Sequence, residues 1–276
     1  MFNPFFAQKC LRILLPISGA VVAIHLLHSL TLDRIIQYVE VPFRSPRVPQ
    51  SLDGYRIAFV TDTHGISDRR MRGVVNRLND GNIDLLLLGG DFHGNSERAE
   101  RTIGILSGVR ARDGVFGVEG NHDTHVELFA AMESHGIRPL FNDGVRVRDG
   151  LFLAGTADIK TFPPAASIAT AMENADPGDF ALLLTHNADI TMRQPTVGID
   201  LVLSGHTHGG HVTFLGLWAP ALTLSRAVTH YGQRFMSGWA ETRDGVPVFV
   251  SNGTGGYFPR VFARPQVVIV TLRHRG

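Results

Sequence analysis

Short runs of unbroken apolar residues recur along this chain, and each ends in glycine or threonine and then in residues that carry chemistry. "IDLLLLGGD", "FALLLTHN" and "IDLVLSGHTH" are the clearest. A run with no polar residue at alternate positions suits a strand buried on both faces, not one with a solvated side. Shorter apolar runs in "YRIAFVTD", "GVFGVEGNHD" and "LFLAGTAD" repeat the theme. Between them lie "RRMRGVVNRLND", where Met71, Val74, Val75 and Leu78 have helical spacing, and the helix candidates "SERAERTIGILSGV" and "HVELFAAMESHG". Apolar strands alternating with helices predict an α/β domain around a largely buried sheet, with a β-rich, glycine-punctuated C-terminal part. At 276 residues, 44% hydrophobic and 18% charged, the chain has material for one large α/β domain and a small appendage.

Charge and cysteine usage remove several classes. The formal net charge of +1 offers neither the basic excess of a nucleic-acid binder nor an acidic disordered tail. The only cysteine is Cys10, which excludes disulfides within the chain and thiolate metal sites. The N-terminus is the compositional outlier: residues 13–32 carry no formal charge and follow Lys9 and Arg12. As a helix they would span about 30 Å, the thickness of a bilayer core. Pro16, His25 and His28 interrupt the apolar pattern, and Ser18, His25, His28 and Ser29 share one helical face. An uncleaved anchor is the favoured reading over an interfacial helix or a signal peptide, since no small-x-small cleavage site follows. Residues 41–54, "VPFRSPRVPQSLDG", read as the core of a Pro-rich tether. The expected division is an anchor at 1–34, a tether at 35–54 and a catalytic-size domain at 55–276.

The polar residues at the strand ends are Asp62 and His64, then Asp91, then the "GNHD" of Gly120 to Asp123, then His186, and last His206 and His208. In open α/β sheets, the loops leaving the strand C-termini converge on one crevice, so these residues should meet in space. Crowded imidazoles repel when protonated and need partners when neutral; metal cations satisfy them. The donors divide into two sets. Asp62, His64 and His208 can surround one cation, Asn121, His186 and His206 another, with the Asp91 carboxylate bridging. Gly90, Gly120 and Gly205 would permit tight turns and close backbone approach.

In this order the motifs resemble the calcineurin-like metallophosphoesterase superfamily, whose pattern is D-x-H, G-D, G-N-H-[DE], H and G-H-x-H; the match runs over about residues 55–211. The resemblance implies a four-layer α-β-β-α sandwich of two mixed β-sheets flanked by helices. It also implies a binuclear site hydrolysing a phosphodiester, pyrophosphate or phosphomonoester through a hydroxide shared by the metals. His122 is then the candidate that stabilises the phosphate and protonates the departing oxygen. Many relatives read G-D-x-x-D, whereas Gly94 stands at the second carboxylate here; Asp123 is the candidate replacement, paired with His122 as a catalytic residue. The donor set favours manganese, with iron or zinc as alternatives. "GHTHGGH", the anchor and the tether resemble the bacterial membrane-associated branch, which implies a lipid-linked or nucleotide-linked phosphate substrate at the inner membrane and no nucleic-acid partner. The competing reading is a catalytically silent metal-binding scaffold of the same fold.

Other features carry weaker signals. His93 and His211 flank the expected site. Arg69, Arg70 and Arg72 follow "DTHGISD" and suit either a solvated helix face or the steering of an anion. "FLGLWAPALTL" suits core packing or contact with acyl chains, and "SNGTGGYFPR" reads as a glycine-rich loop near the crevice.

Overall fold

A computed structural model describes residues 4–276; the first three residues of the expected anchor lie outside it. Two six-stranded sheets pack face to face. The first runs β1 (Gln37–Ser45), β12 (Gln266–His274), β2 (Arg56–Val60), β3 (Leu85–Leu88), β4 (Val115–Gly117) and β5 (Arg138–Pro139). The second runs β10 (Gly238–Glu241), β11 (Pro247–Val250), β9 (Leu201–Ser204), β8 (Phe180–Leu184), β7 (Leu151–Gly155) and β6 (Asp143–Arg148). Strands β2 to β5 are parallel, as are β11, β9, β8 and β7. Antiparallel pairs occur where β12 meets β2 and at the two edges of the second sheet, so both sheets are mixed.

The two-residue side-chain period explains why the strands had to be apolar throughout. In β2 and β3, Ile57, Phe59, Leu85 and Leu87 face inward and meet Leu153, Leu182, Leu184, Leu201 and Leu203 from the other sheet. Their neighbours Ala58, Val60, Leu86 and Leu88 face outward, onto α2 (Asp68–Asn79), α3 (Ser96–Leu106) and α4 (His125–Ser134). Met71, Val74, Val75 and Leu78, the stripe read from the sequence, form the buried face of α2. Beyond the second sheet the outer layer is thinner. The one-turn helices α5 (Ile168–Ala171) and α6 (Ile190–Arg193), with loops, cover Phe152, Leu183 and Val202. The four layers are therefore present, with unequal outer walls.

The N-terminal segment departs from expectation in two places. The stretch 35–54 is not a free tether: β1 pairs in parallel with β12 from Gln37↔Gln266 to Ser45↔His274. Pro42 fits because β1 is an edge strand, where a missing backbone donor is tolerated. Val48 and Leu52 are fully buried, and Arg47 ties the turn to Asp200 at 3.1 Å. Helix α1 (Pro4–Leu30) is long and apolar enough to cross a membrane, with mean hydropathy 1.6 over Leu14–Arg34. Its interrupting histidines face the domain: Val21, His25, His28 and Ser29 form a partly buried stripe, while Ser18 stays exposed. The His28 ring stacks on Phe262 at 3.9 Å and its Nδ1 pairs with Asp33 at 2.8 Å. His25 lies against Phe214 and Phe262.

Candidate metal centre

The chain turns sharply where β2, β3 and β9 end. Asp62, Asp91, His206 and His208 all adopt left-handed backbone conformations, with φ of 51°, 56°, 73° and 53°. Each costs a residue with a Cβ on the order of 1–2 kcal/mol, so packing must hold it there. The glycines beside them explain how. A Cβ on Gly205 would lie 2.2 Å from Asp62 Oδ2, one on Gly120 2.2 Å from Asp91 Oδ1, and one on Gly90 2.4 Å from the Gly120 nitrogen. Backbone and carboxylate meet directly only because these side chains are absent. The Asp62 carboxylate is oriented by the hydroxyl of Thr61 at 2.7 Å and the backbone N–H of His206 at 3.0 Å. Asp91 Oδ1 accepts the backbone N–H of His122 at 2.8 Å.

Two overlapping groups of donors result. Asp62, His64, Asp91 and His208 form one, and Asp91, His186 and His206 the other, with donor atoms inside each group within 4.8 Å of one another. Asp91 belongs to both. Its Oδ2 lies 3.1 Å from His64 Nε2 and 3.3 Å from His186 Nε2. His208 Nε2 lies 3.5 Å from Asp62 Oδ1. Asn121 follows the Gly120 contact with Asp91, and its Oδ1 is buried with no hydrogen-bond partner; His208 Nδ1 is in the same state.

The tautomers point inward as ligands require. His186 Nδ1–H donates to the Gly89 carbonyl at 2.7 Å, and His206 Nε2–H donates to the Val228 carbonyl at 2.8 Å. That leaves His186 Nε2 and His206 Nδ1 facing each other at 3.1 Å. Once the His186 proton is displaced, two rings so anchored present lone pairs to one point, an arrangement that one cation resolves. The local charges agree. Burial works against ionising Asp91, yet His186 and His64 beside it hold its carboxyl well below the usual range. Burial likewise opposes protonation of His186 and His64, but the Asp91 carboxylate outweighs it and both are raised. His206 falls to about 4, through burial and then the charge of His186. His208 is also pushed well down, by burial and then by Arg260 and His64. Carboxylates and imidazoles gathered in two groups that share Asp91, with the Asn121 amide oxygen left buried and unpartnered, fit divalent metal ions.

The remaining expected residues separate by task. The His122 ring is exposed, has no side-chain hydrogen bond among the described residues, and lies 5.3 Å from the His64 ring. Asp123 does not orient it. Both Asp123 oxygens accept backbone N–H groups instead, from Asp91 at 2.7 Å, Phe92 at 2.9 Å and Gly120 at 2.9 Å. This carboxylate clamps together the loops that carry Asp91 and Gly120; burial and then the charge of Asp91 push it up to about 7. His93 Nδ1 accepts the N–H of Asn95 ahead of α3, and His211 stands 6.1 Å from the His208 ring. Two contributors escaped the sequence reading. Arg260 is buried, donating to the carbonyls of His208, Gly255 and Asn252, and burial lowers it to about 10. Tyr257 stacks on His64 at 5.8 Å. The glycines of "GTGGYFPR" were their only signal: a Cβ on Gly255 would lie 1.7 Å from the Thr63 carbonyl oxygen.

Comparisons with known proteins agree with this geometry. The calcineurin-like phosphoesterase family model matches residues 55–210. An uncharacterized metallophosphoesterase of Aquifex aeolicus is 31% identical over 70% of this chain and 74% of its own. The Bacillus subtilis metallophosphoesterase YkuE is 24% identical over 87% and 86%. A Bos taurus transmembrane protein with metallophosphoesterase domain is 28% identical over 79% of this chain and 52% of that longer protein. Since the family match runs from the first residue before β2 to the turn beyond His208, this chain belongs to the calcineurin-like phosphoesterases and is a hydrolase of phosphate esters.

Proposed function

We propose that this protein is a membrane-anchored, two-metal phosphohydrolase acting on a phosphodiester, pyrophosphate or phosphomonoester bond of a lipid-linked or nucleotide-linked substrate. The observation that carries the reading is Asp91, whose single carboxylate joins both donor groups. Asp62, His64 and His208 would hold one cation, Asn121, His186 and His206 the other, with Asp91 shared. Bound there, the cations supply Lewis acidity toward the phosphoryl oxygens and acidify water at physiological pH. Manganese is the favoured ion, with iron or zinc as alternatives.

The chain's own residues supply the rest. His186 and His206 are locked by the Gly89 and Val228 carbonyls, so their ligand nitrogens need no reorientation when substrate arrives. The free ring of His122 stands at the mouth of the centre, where a ring N–H can hydrogen-bond the phosphate and pass its proton to the leaving oxygen. Asp123 keeps His122 in place indirectly, through the backbone of the Gly120 and Asp91 turns. The apolar α1 and the relative named a transmembrane protein support attachment to a membrane, with 1–34 as the anchor and the catalytic unit, including β1, beyond it.

The test is metal analysis of the purified full chain together with a manganese-supplemented assay. The panel is bis-p-nitrophenyl phosphate, a phosphomonoester, phospholipids and a nucleotide-linked lipid. Hydrolysis of at least one with about two metals per chain is expected. Metal bound without turnover of any substrate would instead identify a scaffold.

A further inference from the structure

A cavity of about 480 Å³ opens beside His64, between the foot of α1 and the glycine-rich loop before β12. Three arginines line it, Arg34, Arg70 and Arg260, the last with its terminal nitrogens donating to the Gly255, His208 and Asn252 carbonyls. None has a carboxylate at ion-pairing distance among the described residues. Arg70 donates to the Arg34 carbonyl at 2.6 Å, which brings the first two side chains to one rim. Arg260 is only 3% exposed, and its Nε is buried without a partner. Asp33 also lines the cavity, but its carboxylate is occupied: it accepts the backbone N–H groups of Phe262 and Ala263 and pairs with His28. Three like charges around one space repel unless an anion joins them, and arginine's planar fork matches phosphate oxygens.

The same cavity has an aromatic side. Phe258 lies under the Arg34 guanidinium at 4.3 Å, Tyr257 covers His64, and both rings are exposed, at 55% and 72%. Ile66 adds apolar surface to the lining. Exposed aromatics beside unpaired arginines fit a ligand that is anionic at one point and apolar next to it.

We propose that this cavity is the subsite for the part of the substrate beyond the scissile phosphate: a second phosphate or equivalent oxyanion carried beside an apolar group. The proposal rests on the phosphohydrolase reading and adds what the substrate must carry. Arg34 closes the short turn Leu32–Arg34 that follows the docked end of α1, so the subsite is complete only while that helix packs on the domain through His25 and His28. A lipid headgroup and a soluble aryl or nucleotide phosphate share this chemistry.

The experiment uses the metal-free full-length protein in detergent, where the metal centre cannot hold phosphate through cations. Isothermal titration with phenyl phosphate and with dihexanoyl phosphatidic acid is expected to show one site. The R34A/R70A double variant should weaken both ligands at least about tenfold, R34K/R70K should recover part of the loss because charge remains, and R98A should bind like wild type. Tighter binding of the short-chain lipid identifies a lipid source; equal affinities identify a soluble one. Wild type that fails to bind either ligand at millimolar concentration, or a double variant that binds as wild type does, overturns the proposal. Bis-p-nitrophenyl phosphate hydrolysis by the metal-loaded wild type is measured in parallel. Its absence would count against the phosphohydrolase reading while leaving the binding result to decide the subsite.

Discussion

The two sheets bring unlike donors to the same centre. The first sheet delivers carboxylate oxygen from two successive strand ends, as Asp62 and Asp91, with His64 its imidazole in the two donor groups. The second delivers imidazole alone, as His186 after β8 and His206 and His208 after β9. Left-handed turns occur on both sides, but the first is also held by carboxylates packed against glycine backbone, and the second by carbonyls that fix the rings of His186 and His206. Neither sheet holds a complete donor set, so the centre exists only where the sheets are seated together. Asp91 is the asymmetric element: it comes from one sheet and lies against histidines from both.

That asymmetry makes the largest prediction. Asp91→Ala should empty both metal positions and lower kcat/KM by more than about 10⁴-fold, whereas His206→Ala should disturb one position and leave about half the metal. Metal content per chain, measured on both variants, checks the contrast; equal losses would break it. His122→Ala comes next, with kcat down about 10²–10³-fold and full metal content, because its ring belongs to neither donor group. Gly205→Ala tests the seam itself. The added methyl meets Asp62 Oδ2 and Thr61, and should destabilise the fold by about 1–3 kcal/mol in chemical denaturation while loosening metal.

The smallest effect concerns pH. In the metal-free protein His64 and His186 are both raised above the ordinary 6.5, once the pull of Asp91 has overcome burial. A histidine whose folded value is raised stabilises the fold fully below its unfolded value, and that stabilisation is lost as pH rises through the folded value. Chelator-treated protein should therefore lose stability as pH climbs above 6.5. Metal must displace the same protons, so its affinity should rise over that window with proton release, measured by titration calorimetry in buffers of different ionisation enthalpy. Metal binding without proton release would mean that these rings are already neutral.

Much of this was legible in the chain because it is local. The period of α2 appears in Met71, Val74, Val75 and Leu78, and burial on both faces appears in the unbroken runs of β3, β8 and β9. Glycines 90, 120 and 205 marked the places of close approach, and the order of polar residues at strand ends marked one crevice. What could not be read were contacts between distant segments. Residues 35–54 look like a tether because proline is counted locally, yet the edge of a sheet accepts Pro42 once β12 arrives more than 200 residues later.

The sequence by itself therefore determined the alternation of buried strands with helices and the order of candidate donors at the strand ends, since apolar period and residue type are properties of short segments. Only the tertiary structure decided that Asp123 clamps backbone instead of orienting His122, and that His25 and His28 dock α1 onto the domain. It also decided that Arg260 stands buried beside His208 and that ordinary residues at 62, 91, 206 and 208 occupy left-handed turns. The physical reason is the same in each case. Strain and buried charge are tolerated only where a second sheet, absent from any local window, supplies the packing and counter-charge that hold them.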